Sequence, residues 1–154
     1  EQALLARFAN LIETFATPSL GMLSSLMAGV GLGAAADEID IKKAGIFPIV
    51  HGMRTMAMDR GILATPTAAR IEALVEARAF EPAFGRELIS SLRVFMAYRL
   101  RSQLEAVSRG DVSREALVRP AALSTADRDM LRDAFRIVRQ FRESFRNRYR
   151  LGSF

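Results

Sequence analysis

Lysine is scarce in this chain. Of its 22 Lys and Arg side chains only Lys42 and Lys43 are lysine, and they adjoin Asp40 and Gly45 in the run IDIKKAGIFPIVHGMRTMAMDRGI (39–62). Pro48 marks a helix start just beyond them. A lysine near a helix N-terminus is electrostatically unfavourable unless an anion binds there, because the dipole already makes that end positive. Two adjacent lysines, a glycine and free backbone N–H groups suit a phosphate. The plainer alternative has both lysines solvated or paired with Asp37 and Asp40, and the spacing leaves the two readings even.

The acids Asp37, Glu38 and Asp40 form a small cluster whose carboxylates could hold Mg²⁺ for phosphoryl transfer. Exposed acids after a glycine-alanine turn more often serve solubility. If Glu38–Lys42 is extended, alternation puts Asp40 and Lys42 on one face, for a salt bridge or a ligand. His51 stands alone, with no second histidine and no cysteine anywhere in the chain. Disulfides, thiol nucleophiles, Cys/His zinc sites and any Ser-His-Asp triad not built on His51 are thereby excluded. The run GVGLGA (29–34) matches the dinucleotide fingerprint, but that loop works only between a strand and a helix of a βαβ unit. No convincing strand precedes it, so a turn is expected.

The net charge of +5 raises the question of nucleic acid. The last helix carries Arg128, Arg132, Arg136, Arg139, Arg142, Arg146, Arg148 and Arg150, partly offset by Asp127, Asp129, Asp133 and Glu143. No aromatic is interleaved with these arginines as a base-stacking platform would require. A solvated face is the default reading, with a docking surface for an acidic partner or a nucleic-acid backbone as the minority view.

These side chains are positioned by helices. Leu4, Leu5, Phe8, Leu11, Ile12 and Phe15 give 2–16 an amphipathic helical period, ended by Thr17-Pro18. Residues 14–36 carry no charge and are long enough to span a bilayer. Pro18, four glycines and five Ser/Thr favour a buried segment instead. Residues 19–43 fit either a short helix or a β-hairpin. Further on, helices are expected from Pro48 to Arg60 with Gly61 as stop, from Thr65-Pro66 to near Arg78, and from Pro82 to Ser108 with Gly110 as stop. The third has Phe84, Leu88, Leu92, Phe95, Leu100, Leu104 and Val107 near one face. A loop over 111–123 precedes a last helix, capped by Ser124 with Asp127 at the capping-box position. Its stripe is Leu131, Ala134, Phe135, Val138, Phe141, Phe145 and Tyr149. The expectation is an all-α bundle of about five or six helices, with a short β-hairpin near 19–43 as an option, forming a single domain over 1–154.

The run 39–62, followed by TPTAARIEAL, RLRSQ and RPAALSTADRDMLRDAFRIV, resembles the substrate-binding domain family of bacterial signalling nucleotidyltransferases. The resemblance extends from about Pro18 to Phe145. Its ordered motifs are Asp40-Ile41-Lys42, Gly45-Ile46, Arg54 with Ala57, Gly61-Ile62, Thr67 with Arg70-Ile71, Arg101 with Gln103, and Leu123-Ser124. Asp40-Ile41-Lys42 and Gly45-Ile46 are also distantly similar to the PII uridylyltransferases and glutamine synthetase adenylyltransferases, from whose pattern Phe47-Pro48 departs. Ser102 departs from the substrate-binding family, which often has histidine there. The resemblance implies a C-terminal fragment of a longer cytoplasmic protein with nucleotidyltransferase, cyclic-nucleotide-binding and CBS modules. A catalytic domain would bring a Gly-Ser…Asp-x-Asp motif, absent here, together with Mg²⁺ and the nucleoside triphosphate. This domain would hold no cofactor or metal of its own and would catalyse nothing alone. Lys42, Lys43, Asp40, Gly45, Arg54, Arg70, Arg101 and Gln103 are the binding residues so implied, with Lys42 reaching the triphosphate. A protein acceptor is a further expected partner, and membrane and nucleic acid are not. The rival reading is a regulatory interaction bundle with no small-molecule ligand.

Overall fold

The computed structural model describes residues 38–111 and 117–149. The helix expected over 2–16, the uncharged segment 14–36, the GVGLGA turn and Asp37 lie outside those residues. The described elements run β1 (Ile39–Asp40), a π-helical turn (Lys42–Ile46), α1 (Phe47–Asp59), α2 (Thr67–Glu76), α3 (Pro82–Arg109), β2 (Leu117–Val118), a 3₁₀ turn (Pro120–Ala122) and α4 (Thr125–Tyr149). The all-α expectation holds, with four α-helices among the described residues.

α3 and α4 are the long pair, and aromatic rings fill the space between them and the shorter helices. Phe95 of α3 and Phe135 of α4 lie 4.8 Å apart, and Phe80 and Phe141 lie 6.1 Å apart. Phe95, Phe135, Phe141 and Phe145 are all fully buried, together with Ile49 and Met53 of α1 and Ile71 and Leu74 of α2. Each such side chain contributes roughly 1.5–3 kcal/mol by leaving water. The α4 stripe read from the sequence is the one that faces this core.

The α3 stripe needs correction. Leu88, Leu92 and Phe95 are buried, but Leu100, Leu104 and Val107 are 57%, 64% and 67% exposed. The step from Phe95 to Leu100 is five residues, which carries the side chain about 140° round the helix from the core-facing line. Tyr98, Ser102 and Ala106 continue that line and are buried instead. Hydrophobicity alone traced the wrong edge of a 28-residue helix.

Helix ends follow their local signals. Gly61 and Gly110 take left-handed φ values of 65° and 69°, each with the paired bonds of a Schellman cap, such as Asp111 N–H to the Ala106 carbonyl at 3.0 Å. α2 stops at Glu76, two residues earlier than expected, and Arg78 takes the left-handed position at φ 55°. Ser124 caps α4, its hydroxyl accepting the Asp127 N–H at 3.1 Å.

Two features go beyond the expectations for non-local reasons. The segment Glu38–Lys42 is extended only at Ile39 and Asp40. That strand pairs antiparallel with Leu117–Val118, in the register Ile39↔Val118 and Asp40↔Leu117. Its described partner is therefore distant in sequence, and the expected 111–123 loop contains a strand; the optional hairpin near 19–43 lies mostly outside the described residues. Second, helix begins before Pro48. Phe47 N–H bonds to the Lys42 carbonyl, the five-residue spacing of a π turn.

Candidate functional site

Pro48 lacks the N–H that an uninterrupted helix would require at its position. The wider turn preceding it accommodates that loss and runs straight into α1. Gly45 lies inside the turn and packs on the face of Phe95. A Cβ there would fall 2.7 Å from two ring atoms. Gly45, implied by resemblance to be a binding residue, thus has a packing role of its own.

The turn separates the two lysines. Lys43 is exposed, with its ammonium 3.6 Å from Asp40 and its backbone N–H donating to Asp40 Oδ1 at 3.0 Å. Asp40 therefore caps the turn and neutralises Lys43. Lys42 no longer shares a strand face with Asp40. It is half-buried, and its ammonium lies 5.4 Å from the centroid of the Phe47 ring, a cation–π contact. Among the described residues, no carboxylate lies within ion-pair distance of Lys42.

Phe47 in turn meets His51 edge to face, with centroids 5.5 Å apart. One turn further, exposed Arg54 shares this side of α1. Burial, and then the positive charge of Arg54, pull the His51 pKa below its ordinary value. The imidazole is accordingly neutral near pH 7, and the positive charge of this face comes from Lys42 and Arg54.

The remaining candidates lie elsewhere. Arg70 Nε donates to the Ala64 carbonyl at 2.8 Å, pinning the 61–66 connection to α2. Arg101 on α3 sits 3.5 Å from both Glu105 and Asp127. It lines a cavity of about 330 Å³ between the second half of α3, the β1–β2 ribbon and the turn before α4. Lys42, Lys43, Arg54 and Arg70 do not line that cavity. Gln103 is half-buried, one residue past Ser102. Of the acids first considered for Mg²⁺, Glu38 holds Arg119 Nε at 2.7 Å and Asp40 holds Lys43. Among the described residues, no group of three His, Cys, Asp or Glu side chains is placed to hold a metal, and no helix is long and apolar enough to cross a membrane.

Sequence reasoning missed three residues that organise this region. Tyr98 donates its phenol proton to Asp127 Oδ1 at 2.6 Å, joining α3 to the start of α4. Burial and the Asp127 carboxylate push the Tyr98 pKa far up, while the Tyr98 and Ser124 hydrogen bonds and nearby Arg101 hold Asp127 below its usual range. Ser102 is buried and donates to the Leu117 carbonyl at 3.1 Å, fixing β2 against α3. Arg119 fixes the ribbon's other edge through Glu38. Tyr98 and Ser102 continue the core-facing line of α3, and that periodicity was the available signal for both.

Comparison with known families gives one match. The model described as "Putative nucleotidyltransferase substrate binding domain" covers residues 2–149. No curated protein and no solved structure matches the chain.

Proposed function

Because the chain belongs to that nucleotidyltransferase substrate-binding family, we propose that it forms one wall of a nucleotidyl-transfer cleft in a bacterial signalling protein. In this reading the domain serves as the partner half of a PII uridylyltransferase-like enzyme. A catalytic domain of the same parent chain, carrying the triphosphate and Mg²⁺, faces the helix α1 side. Lys42 meets the triphosphate, and Arg54 extends the positive face beyond the neutral Phe47–His51 pair.

The observation that carries this reading is the contrast between adjacent lysines. Lys43 is neutralised by Asp40, whereas Lys42 has an aromatic ring and no described carboxylate beside it. Lys42 is half-buried with no described carboxylate beside its ammonium, and a triphosphate would supply the opposite charge that the ring alone does not. A flexible point charge suits a triphosphate whose geometry changes during transfer.

The test uses the whole parent protein, titrated with ATP and UTP in the presence of Mg²⁺. Loss of a charged hydrogen-bonding partner is worth about 1.5–3 kcal/mol, so Lys42→Ala is expected to weaken nucleotide binding roughly ten- to a hundredfold. Lys43→Ala should change it little, because its charge is already neutralised. Unaltered nucleotide affinity and transfer in Lys42→Ala would remove the cleft assignment.

One observation favours the interaction-bundle reading. Met96, Leu100, Leu104 and Val107 make a continuous exposed apolar stripe on α3, the usual mark of a surface that meets another domain. That reading predicts that Leu104→Asp alters coupling to a sensor domain while nucleotide affinity stays unchanged.

A further inference from the structure

The cavity beside Arg101 differs in kind from the Lys42 face. Arg101, Arg109 and Arg119 stand on its wall, and so do Glu38, Glu105 and Asp111. Among the described residues, three positive and three negative side chains therefore line one space. Its apolar lining comes from Ala106 and Val118, both buried, and from half-buried Leu117 and Leu123.

The arginines are tethered but not used up. A guanidinium has five N–H donors in a fixed fork. Arg119 spends its Nε on Glu38, and Arg109 spends one terminal nitrogen on Glu105 at 3.2 Å. Arg101 lies 3.5 Å from its two acids, too long for strong hydrogen bonds. All three side chains remain more than half exposed, at 57%, 70% and 60% in chain order. Donors on each therefore stay available to a carboxylate in the space between them.

The acids decide what kind of ligand can enter. A phosphate dianion would gain the arginines but meet Glu38, Glu105 and Asp111 at short range, and like charges cost as much as unlike charges return. A cation fails for the mirror reason. A molecule carrying both signs a few bonds apart satisfies both sets. The volume, about 330 Å³, lies at the small end of ligand pockets.

We propose that this cavity is a binding site for a free α-amino acid. The carboxylate is held by Arg119 and Arg101, the ammonium by Glu105 with Asp111, and the side chain rests on Ala106, Val118 and Leu123. Such a ligand touches β2 and α3 together, so it stabilises the join between them. The site is separate from the nucleotide face and does not depend on the proposed transfer reaction.

The test is a thermal-shift screen of the whole protein against the twenty α-amino acids singly. Hits are then measured by titration calorimetry beside their N-acetyl amides and inorganic phosphate. The expected result is a rise in Tm of several degrees with one amino acid or one chemical group of them, and none with phosphate or the charge-free amides. Arg101→Gln and Glu105→Gln, both on exposed side chains and checked for folding by circular dichroism, should each weaken that Kd about tenfold. Lys42→Ala should leave it unchanged, which separates this site from the nucleotide reading. Three results would overturn the proposal: no amino acid raises Tm, phosphate or the amides bind as well, or neither of the two cavity variants affects binding.

Discussion

Replacing Gly45 by alanine adds one methyl group where the π turn meets α3. The new Cβ would lie 2.7 Å from Cγ and Cδ1 of Phe95 and 2.8 Å from Cδ2. Comfortable carbon–carbon contact needs about 3.5–4.0 Å, so roughly 1 Å must be found. Phe95 is fully buried and its ring already lies 4.8 Å from that of Phe135, which leaves it nowhere to retreat without moving α4. Overpacking of this kind costs about 1–3 kcal/mol, against about 1 kcal/mol gained by alanine over glycine in a helix. With three ring atoms met at under 3 Å the cost falls in the upper part of that range, and a net loss of on the order of 1–2 kcal/mol lowers Tm by about 2–8 °C in a domain of this size. Urea and thermal unfolding of Gly45→Ala, Phe95→Leu and the double variant measure it. The smaller, more flexible leucine should relieve the clash, so the double variant is expected to be more stable than the sum of the single losses predicts, by about 1 kcal/mol. A Gly45→Ala protein as stable as the parent would refute the packing argument. If that stable variant also lost nucleotide affinity, Gly45 would serve the ligand directly.

Other perturbations check separate parts of the structure. Arg78→Gly should stabilise the protein by about 0.5–1 kcal/mol in urea unfolding, because a non-glycine residue holds a left-handed φ of 55° at the end of α2. The Tyr149 phenol donates to Asp59 at 3.1 Å, and burial followed by the Asp59 charge push its pKa up to about 12. Since the folded value lies above the unfolded one near 10, its stabilising contribution is complete below pH 10 and is lost as pH rises from 10 to 12. Melting curves across that window should fall more steeply for the parent than for Tyr149→Phe. Asp127 is shifted the opposite way, chiefly by the Tyr98 hydrogen bond. Its contribution is present above the unfolded value near 3.8 and disappears as pH drops through the lower folded value, so Tyr98→Phe should flatten the acid limb of a Tm-against-pH profile.

Much of this fold could be read locally. Pro48, Pro82, Gly61, Gly110 and Ser124 mark helix ends by their own backbone chemistry, and they do so wherever the rest of the chain lies. The α4 stripe was legible because its apolar residues keep the 3.6 period throughout. What escaped reading depends on partners distant in sequence. β1 exists because Leu117–Val118 lies beside it, held by Ser102 and Arg119. The π turn exists with Gly45 pressed on Phe95, and no local signal announces that contact. The candidate site divides in the same way. The peculiarity of Lys42 was visible as a rare residue type, and the division of labour with Lys43 required the turn. The mixed-charge cavity was invisible, because Glu38, Arg109 and Arg119 meet only through the ribbon.

The widened turn has a consequence for the direction of the Lys42 cation. In a uniform α-helix, residues five apart point about 140° away from each other, and a lysine could not lie over such a ring. The extra residue in the coil resets that phase, so Lys42 and Phe47 come into line. Tightening the coil to the ordinary pitch with the same number of residues would turn Lys42 by about 100° relative to Phe47 and leave the ammonium facing another azimuth. The bearing of this charge is thus set by a backbone count, and a change of side chain at position 42 alone could not reproduce it.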